Sequence, residues 1–508
     1  MEKKVIEIVQ GVTRHPLYRT KTPVDLCIRK GEQIAIVGEN GSGKTRLVDI
    51  ITGKLPLLRN EVVYDFSPSP YPLISDNIKS ITFRDSYGDH DGTYYYQQRW
   101  NQHDIDESVP TVGTLLEECF RNNCRQEEAG NRRKEELRDK LYQLFHLEEL
   151  EDKRIITLSS GELRKFQLTK TLLAAPKVLI MDNPYIGLDS TAREQLTDLL
   201  KKLIAETDLQ VILVLSRNSD IPDFITHVIP VKDLEVLPKT ERNAFLEQNP
   251  ESAHFNASAI ELMLSELQKD EKPEENLGGD ILKFNNIHIQ YGKRVILDRL
   301  DWQVKKGEKW ALKGQNGSGK STLLSLVCAD NPQSYACDIE LFGKKRGTGE
   351  SIWDIKKQIG YVSPEMHRAY LKDMPALDIV ASGLNDSVGL YVRPKPEQKE
   401  ICVKWMELFG IAHLKDSTFL KISSGEQRLC LLARAFVKNP PLLILDEPLH
   451  GLDHSNRERV KFIIEKFAEK PEKTLIMVTH YAEDLPPVID HELVLCKQGD
   501  CNTKTTRK

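Results

Sequence analysis

GQNGSGKS at Gly314 to Ser321 decides the fold. The octet has the spacing GxxxxGK[ST] and follows the apolar run Lys309 to Lys313, so it stands where a strand turns into a helix. GENGSGKT at Gly38 to Thr45 has the same spacing and follows Gln33 to Val37. Glycines at Gly38, Gly41 and Gly43, and at Gly314, Gly317 and Gly319, let backbone N–H groups close around phosphate oxygens, with Asn40 and Asn316 in the same loops. Lys44 and Lys320 set a cation against the outer phosphates of a nucleotide. Thr45 and Ser321 offer a hydroxyl to a magnesium ion.

Working outward, each octet is followed by the same motifs in the same register. LSSGE contains Ser159 and Gly161, ISSGE contains Ser423 and Gly425, and the apolar runs VLIMD and LLILD end at Asp182 and Asp446. From serine to aspartate both intervals are 23 positions (182 − 159 and 446 − 423). Asp189 and Asp453 each follow by 7. A second apolar run then ends at a polar position, Arg217 in the first copy and His480 in the second. Ordered motifs repeated at fixed register mark an internal duplication.

The chain has 508 residues, 40% of them hydrophobic and 29% charged, the composition of an ordinary globular protein. A formal net charge of −5 and a pI near 6.3 give no globally basic surface for nucleic acid. No apolar run approaches a membrane span, and MEKKVIEIVQ at the start is not a signal peptide, so a cytoplasmic location is expected. Nine cysteines without a CxxC pair suggest reduced thiols rather than a metal site.

The first copy is assigned to 1–237 and the second to 279–500. Between them 238–278 reads as a linker with a short amphipathic helix around Ile260 to Leu267, and 501–508 as a polar, basic tail. Apolar runs at Val178 to Met181, Val211 to Leu215, Leu442 to Leu445 and Thr474 to Val478 alternate with helical stretches, which predicts an α/β fold with a largely parallel sheet. Gln126 to Glu151 and Pro396 to Phe409 are rich in helix formers and predict a separate helical lobe in each copy.

The two copies differ where water would be activated. Asp182 and Asp446, at strand ends, are placed to hold the metal ion. The next residue should orient the attacking water and accept its proton, which Glu447 can do and Asn183 cannot; a lost base costs about 10²- to 10⁴-fold. At the second position His480 can relay a proton, whereas Arg217 is a permanent cation. The first copy is therefore expected to retain its nucleotide and the second to turn it over.

These residues carry a resemblance. LSSGE and ISSGE resemble the signature motif of ATP-binding cassette (ABC) ATPases, GLD at Gly187 to Asp189 and Gly451 to Asp453 resembles their D-loop, and Val478 to His480 their histidine switch. The resemblance implies two tandem P-loop NTPase domains, each with a RecA-like parallel-sheet core, a small antiparallel β region and a helical lobe. It implies ATP and Mg2+ as cofactors, with Thr45, Asp182, Ser321 and Asp446 on the metal, and Lys320, Glu447 and His480 catalytic. Ser159, Gly161, Ser423 and Gly425 would contact nucleotide held by the opposite half, in an intramolecular pseudo-dimer requiring no homodimer. Tyr18 and Tyr291 would stack on adenine, the alternative for each being a core aromatic.

At the Q-loop the family pattern VPQ is replaced by Val362, Ser363 and Pro364 in the second copy. The first copy runs from Phe83 to Ser86 into an aromatic insert, with Gln97 or Gln98 to stand in for the glutamine and Tyr94 to Trp100 either touching a partner or packing on the domain. Asn183 with Arg217, and IWDIKKQIGYVS at Ile352 to Ser363, resemble the ModF branch of the family, tandem cassettes associated with molybdate transport or photorepair. That resemblance implies an energy-coupling protein peripheral to the cytoplasmic face of the inner membrane, with a permease subunit as a separate partner. The other function class is a soluble ATP-driven switch on a ribosome or nucleic acid. The short acidic linker and the single catalytic Glu favour the first.

Overall fold

The computed structural model describes residues 3–58, 60–82, 109–123, 128–158, 160–185, 188, 190–250, 255–267, 279–291, 294–315, 317–496 and 504–507. Two compact units are present, one built mainly from residues up to 252 and the other mainly from 253 onward. The predicted α/β architecture holds in both.

In the first unit five strands run parallel in the order His227–Lys232, Ile34–Val37, Gln210–Leu215, Val178–Asp182 and Ile78–Ile81. Ile34–Val37 and Gln210–Leu215 are buried at every position, as befits strands covered on both faces. Glu235–Val236 and Thr240–Glu241 add antiparallel edges to His227–Lys232, and the helix Arg242–Gln248 continues from there. A three-stranded antiparallel sheet, Val24–Arg29, Lys4–Gly11 and Val63–Tyr64, forms the smaller β region.

The second unit repeats the plan. Its parallel strands lie in the order Ile359–Val362, Leu442–Asp446, Thr474–Val478, Lys309–Gly314 and His491–Leu495, with Lys504–Arg507 antiparallel at the edge. Arg294–Lys305, Asp280–Tyr291, Asp338–Leu341 and Lys344–Lys345 make the antiparallel sheet. Phe284, Trp302, Trp310 and His491 join the two sheets through ring contacts of 6.0, 5.7 and 4.7 Å. In each unit the strand before the phosphate loop lies mid-sheet, separated from the aspartate strand by one intervening strand. This is the topological switch point at which such sheets bind ligands.

The expected helical lobes are present. Val112–Asn123, Glu128–Phe145 and Ser160–Leu172 belong to the first unit; Ala376–Ala381, Pro396–Leu408 and Ser424–Phe436 belong to the second. Trp405, Phe409, Phe436 and Phe467 fasten the second lobe to the core by ring contacts of 5.0 to 6.3 Å. The linker helix spans Ala257–Leu267, buries Ile260 and Leu264, and packs on Pro396–Leu408. Phe255 meets Phe462 at 5.7 Å, and Glu261 pairs with Lys466 at 3.1 Å.

Among the described residues no helix is long and apolar enough to cross a membrane. Among the same residues Cys27, Cys119, Cys328, Cys337, Cys402 and Cys430 are free thiols.

Candidate functional site

Both phosphate loops are built by close approach. A Cβ on Gly38 would lie 2.0 Å from the Val231 carbonyl oxygen and 2.7 Å from Ser42 Oγ; one on Gly314 would lie 2.6 Å from the Leu495 oxygen and 2.5 Å from Ser318 Oγ. Gly43 and Gly319 cap the following helices in the left-handed region, at φ 106° and 96°. Gly41 and Gly317 are also left-handed, at φ 77° and 80°. The buried hydroxyls of Ser42 and Ser318 meet no hydrogen-bond partner among the described residues. Such loops are cradles for an anion.

Lys44 Nζ donates to the Gly38 and Glu39 carbonyls at 2.6 and 2.8 Å, and Lys320 Nζ to those of Gly314 and Gln315 at 2.6 and 2.9 Å. Each ammonium is thus drawn across its own loop. Asn40 Oδ1 accepts from Ser216 Oγ at 3.2 Å, and Asn316 lies outside the described residues. Thr45 and Ser321 open their helices' first turns.

Asp182 and Asp446 end strands two removed from the phosphate-loop strands, and the residue after each is left-handed, Asn183 at φ 48° and Glu447 at φ 49°. Non-glycine residues in that region store strain, which recurs at functional sites. The backbone N–H of each donates across the sheet, Asn183 to Val214 and Glu447 to Val478, both at 2.9 Å. Backbone geometry is therefore shared, and the difference lies in the side chains.

In the second unit the Glu447 carboxylate lies between two imidazoles. His480 Nε2 is 3.0 Å from Oε1, and His450 Nδ1 is 2.7 Å from Oε2. Burial alone would push the Glu447 carboxyl up, but His450 and His480 hold it well below the usual carboxylate range. Asp446 goes the other way: burial, then the negative neighbours Glu365 and Glu447, push it well up against Lys320 and Arg428. A buried carboxylate crowded by like charge is an oxygen donor that suits a small divalent cation, and Ser321 stands in the first turn of the helix that Lys320 begins.

In the first unit Asn183 Nδ2 donates to Asp182 Oδ1 at 2.9 Å. Arg217 is drawn into Asp220, with Nε to Oδ2 at 3.1 Å and Nη2 to Oδ1 at 2.6 Å, and Arg193 reaches the same carboxylate at 2.9 Å. Burial raises the Asp220 pKa, but Arg217 and Arg193 prevail and hold it below its ordinary value. The second unit has the matching buried pair Arg457 and Asp484, without a third member at His480.

Ser423 caps the signature helix. Its backbone N–H donates to Glu426 Oε2 at 2.7 Å while its Oγ accepts from the Glu426 N–H at 3.3 Å, a capping box readable as S-x-x-E. Gly425 is buried in the first turn of that helix. Ser159 and Asp189 lie outside the described residues, as does the insert with Gln97, Gln98 and Tyr94 to Trp100; Gly161 is the second residue of the matching helix, Ser160–Leu172. Tyr18 is exposed and sits 5.3 Å from the His15 ring. Tyr291 packs against the core of the second unit, and its hydroxyl accepts from Asn331 Nδ2 at 2.9 Å.

The altered Q-loop has a structural consequence. Ser363 is fully buried and caps the helix Pro364–Ala369, its Oγ accepting from the Met366 N–H at 3.0 Å. Its carbonyl accepts from Arg428 Nη1 at 3.0 Å, and the same guanidinium donates to the carbonyls of Asp446, Glu447 and Pro448. Arg428 thus ties the signature helix to the ends of two strands. Arg428, Glu365 and His450 were not singled out by the sequence. Arg428 does have a repeat partner, Arg164, each five positions after its signature serine, and that register was the available signal.

An ABC transporter family model matches residues 22–186 and 297–450. The chain is 34% identical over 508 residues to the ABC transporter ATP-binding protein ModF of Escherichia coli (strain K12), covering 97% of each. It is 30% identical to an uncharacterized ABC transporter ATP-binding protein of Schizosaccharomyces pombe (strain 972 / ATCC 24843), covering 94% of each. Among solved structures, the archaeal ribosome recycling factor aABCE1 in its complex with ribosomal stalk protein aP1 superposes with a TM-score of 0.52 at 19% identity, covering 96% of this chain and 87% of that one, a likeness of fold. With both halves matched and a full-length relative at 34% identity, the chain belongs to the ABC transporter family, as a tandem ATP-binding protein that hydrolyses ATP.

Proposed function

We propose that each unit binds ATP with Mg2+, and that hydrolysis is concentrated at the site built on Lys320, Glu447 and His480. The observation that carries this reading is the contrast between the Glu447 carboxylate held by two imidazoles and the Asn183 amide bonded to Asp182. Loop N–H groups with Lys44 or Lys320 bind the phosphates. Thr45 with Asp182, and Ser321 with Asp446, would hold the metal, which would supply positive charge against the outer phosphates. Glu447 accepts the proton of the attacking water, and His480 contacts the γ-phosphate. At the first site Asn183 has no basic oxygen and Arg217 is committed to Asp220, so ATP persists there. Loading with radiolabelled ATP and Mg2+, followed by washing, tests this: intact ATP should remain on the first unit while the second releases ADP. Complete conversion of bound ATP to ADP would refute it.

The cellular role that fits is energy coupling for a transport system, molybdate-type by resemblance, with a separate membrane permease as partner. The family description and the relative's name, ABC transporter ATP-binding protein, support it. The aABCE1 likeness is one of fold and carries no ribosomal role to this chain. Affinity purification with and without ATP separates the readings: an integral membrane protein should co-purify, whereas ribosomal subunits would favour the ATP-driven switch.

A further inference from the structure

The phosphate loops, the aspartates, Glu447 and His480 account for binding and hydrolysis without His450. Yet His450 makes the closest contact to the catalytic carboxylate, with Nδ1 2.7 Å from Glu447 Oε2. This is an ion-pair contact: Oε2 of Glu447 has no aligned hydrogen-bond partner among the described residues, so an anchor here requires Nδ1 to carry a hydrogen and the ring to align it with the carboxylate. His450 is brought there by a tight turn: Glu447 is left-handed, and the His450 N–H donates to the Glu447 carbonyl at 3.3 Å. Its ring is set edge-on against Tyr481, with centroids 5.8 Å apart at 68°. Tyr481 is itself covered by the Arg457 guanidinium, 5.6 Å from its centroid, and Arg457 is bonded to Asp484 and Glu483. A chain of packed groups therefore holds His450 against Glu447.

The duplication supplies a second, independent observation. The three positions occupied here by Glu447, His450 and His480 are Asn183, Ile186 and Arg217 in the first copy. Where the base is missing, both imidazoles are missing too.

We propose that His450 is a positioning residue for ATP hydrolysis: it anchors Oε2 of Glu447 so that Oε1 stays aimed at the attacking water when His480 turns to the γ-phosphate. In this arrangement the carboxylate has one fixed and one exchangeable donor. Water gives its proton to Oε1 as its oxygen bonds to the γ-phosphorus. The bond from phosphorus to the bridging oxygen breaks, ADP leaves with the electron pair, and the proton passes from Glu447 to solvent. Without the anchor the carboxylate swings and the base is misplaced, and a misplacement of about 1 Å costs on the order of 10²-fold.

The inference rests on hydrolysis at the second unit, and the test separates the two. Steady-state ATPase is measured for the full chain as wild type, His450→Ala, His450→Asn and Glu447→Gln, with ATP binding followed by equilibrium dialysis and folding by circular dichroism. His450→Ala should lower kcat by about 10- to 100-fold with KM and ATP binding unchanged. His450→Asn, whose amide N–H replaces Nδ1–H, should recover most of that loss. His450→Ala should also add nothing in the Glu447→Gln background. A kcat for a folded His450→Ala close to wild type, or a His450→Asn as impaired as the alanine variant, would overturn the positioning role while leaving the site assignment intact. If His450→Ala does not fold, the asparagine variant decides: near-normal kcat supports the anchor, and a large loss refutes it. Full activity of Glu447→Gln would instead sink the site assignment itself.

Discussion

At the scale of single residues, the two sites share the left-handed backbone after the strand-ending aspartate and differ in the side chains placed there, so differences in behaviour trace to named atoms. Arg217 illustrates this. A guanidinium at the switch position cannot relay a proton, and here it joins Arg193 on Asp220 in a largely buried cluster. Asp220 is held below its ordinary pKa, so it stabilises the native state at pH values above the unfolded carboxyl pKa and loses that contribution as pH falls through the lower native value. Asp220→Asn should therefore destabilise the first unit by about 1 to 3 kcal/mol at pH 7, between the values for exposed and fully buried pairs. Urea unfolding at pH 7 and pH 3 checks this, and the gap between wild type and variant should narrow at the lower pH. Arg217 was legible as a departure from its repeat partner. Asp220 was not, because its role depends on two arginines that the fold brings together from different elements.

At the scale of elements, the strands, loops and signature helices were readable because each obeys a local rule. Buried parallel strands appear as unbroken apolar runs, and the left-handed turns of the phosphate loops demand glycine. Gly314→Ala should abolish nucleotide binding at the second site, since its Cβ would lie 2.6 Å from the Leu495 carbonyl oxygen. Isothermal titration should then report binding at the first unit alone. The contacts that cross between elements were not readable. Arg428 is fully buried, and burial lowers its pKa to about 10, still well above neutrality, so the guanidinium stays charged while donating to four carbonyls. Arg428→Met would remove these buried, charge-assisted hydrogen bonds, and a loss of about 3 to 5 kcal/mol is expected in chemical unfolding of the second unit. Tyr291 shows the opposite limit of local reading, since nothing in the sequence signals that its hydroxyl accepts from Asn331.

At the scale of the whole molecule, duplication followed by divergence explains why one chain carries two similar sheets and two dissimilar sites. Matching strand order in both units shows that the fold has been kept. Where the second copy has Glu447, His450 and His480 the first has Asn183, Ile186 and Arg217, and the proposed difference in chemistry rests on that contrast. The spacing of the motifs made the duplication and the missing base legible; the second imidazole emerged only with the turn that brings His450 back onto Glu447. The central claim is that turnover depends on the second site. Steady-state ATP hydrolysis by Glu447→Gln tests it most directly: the rate should fall by about 10²- to 10⁴-fold while ATP binding at both units persists, whereas a rate near half that of the wild type would show that the first site also turns over and contradict the account.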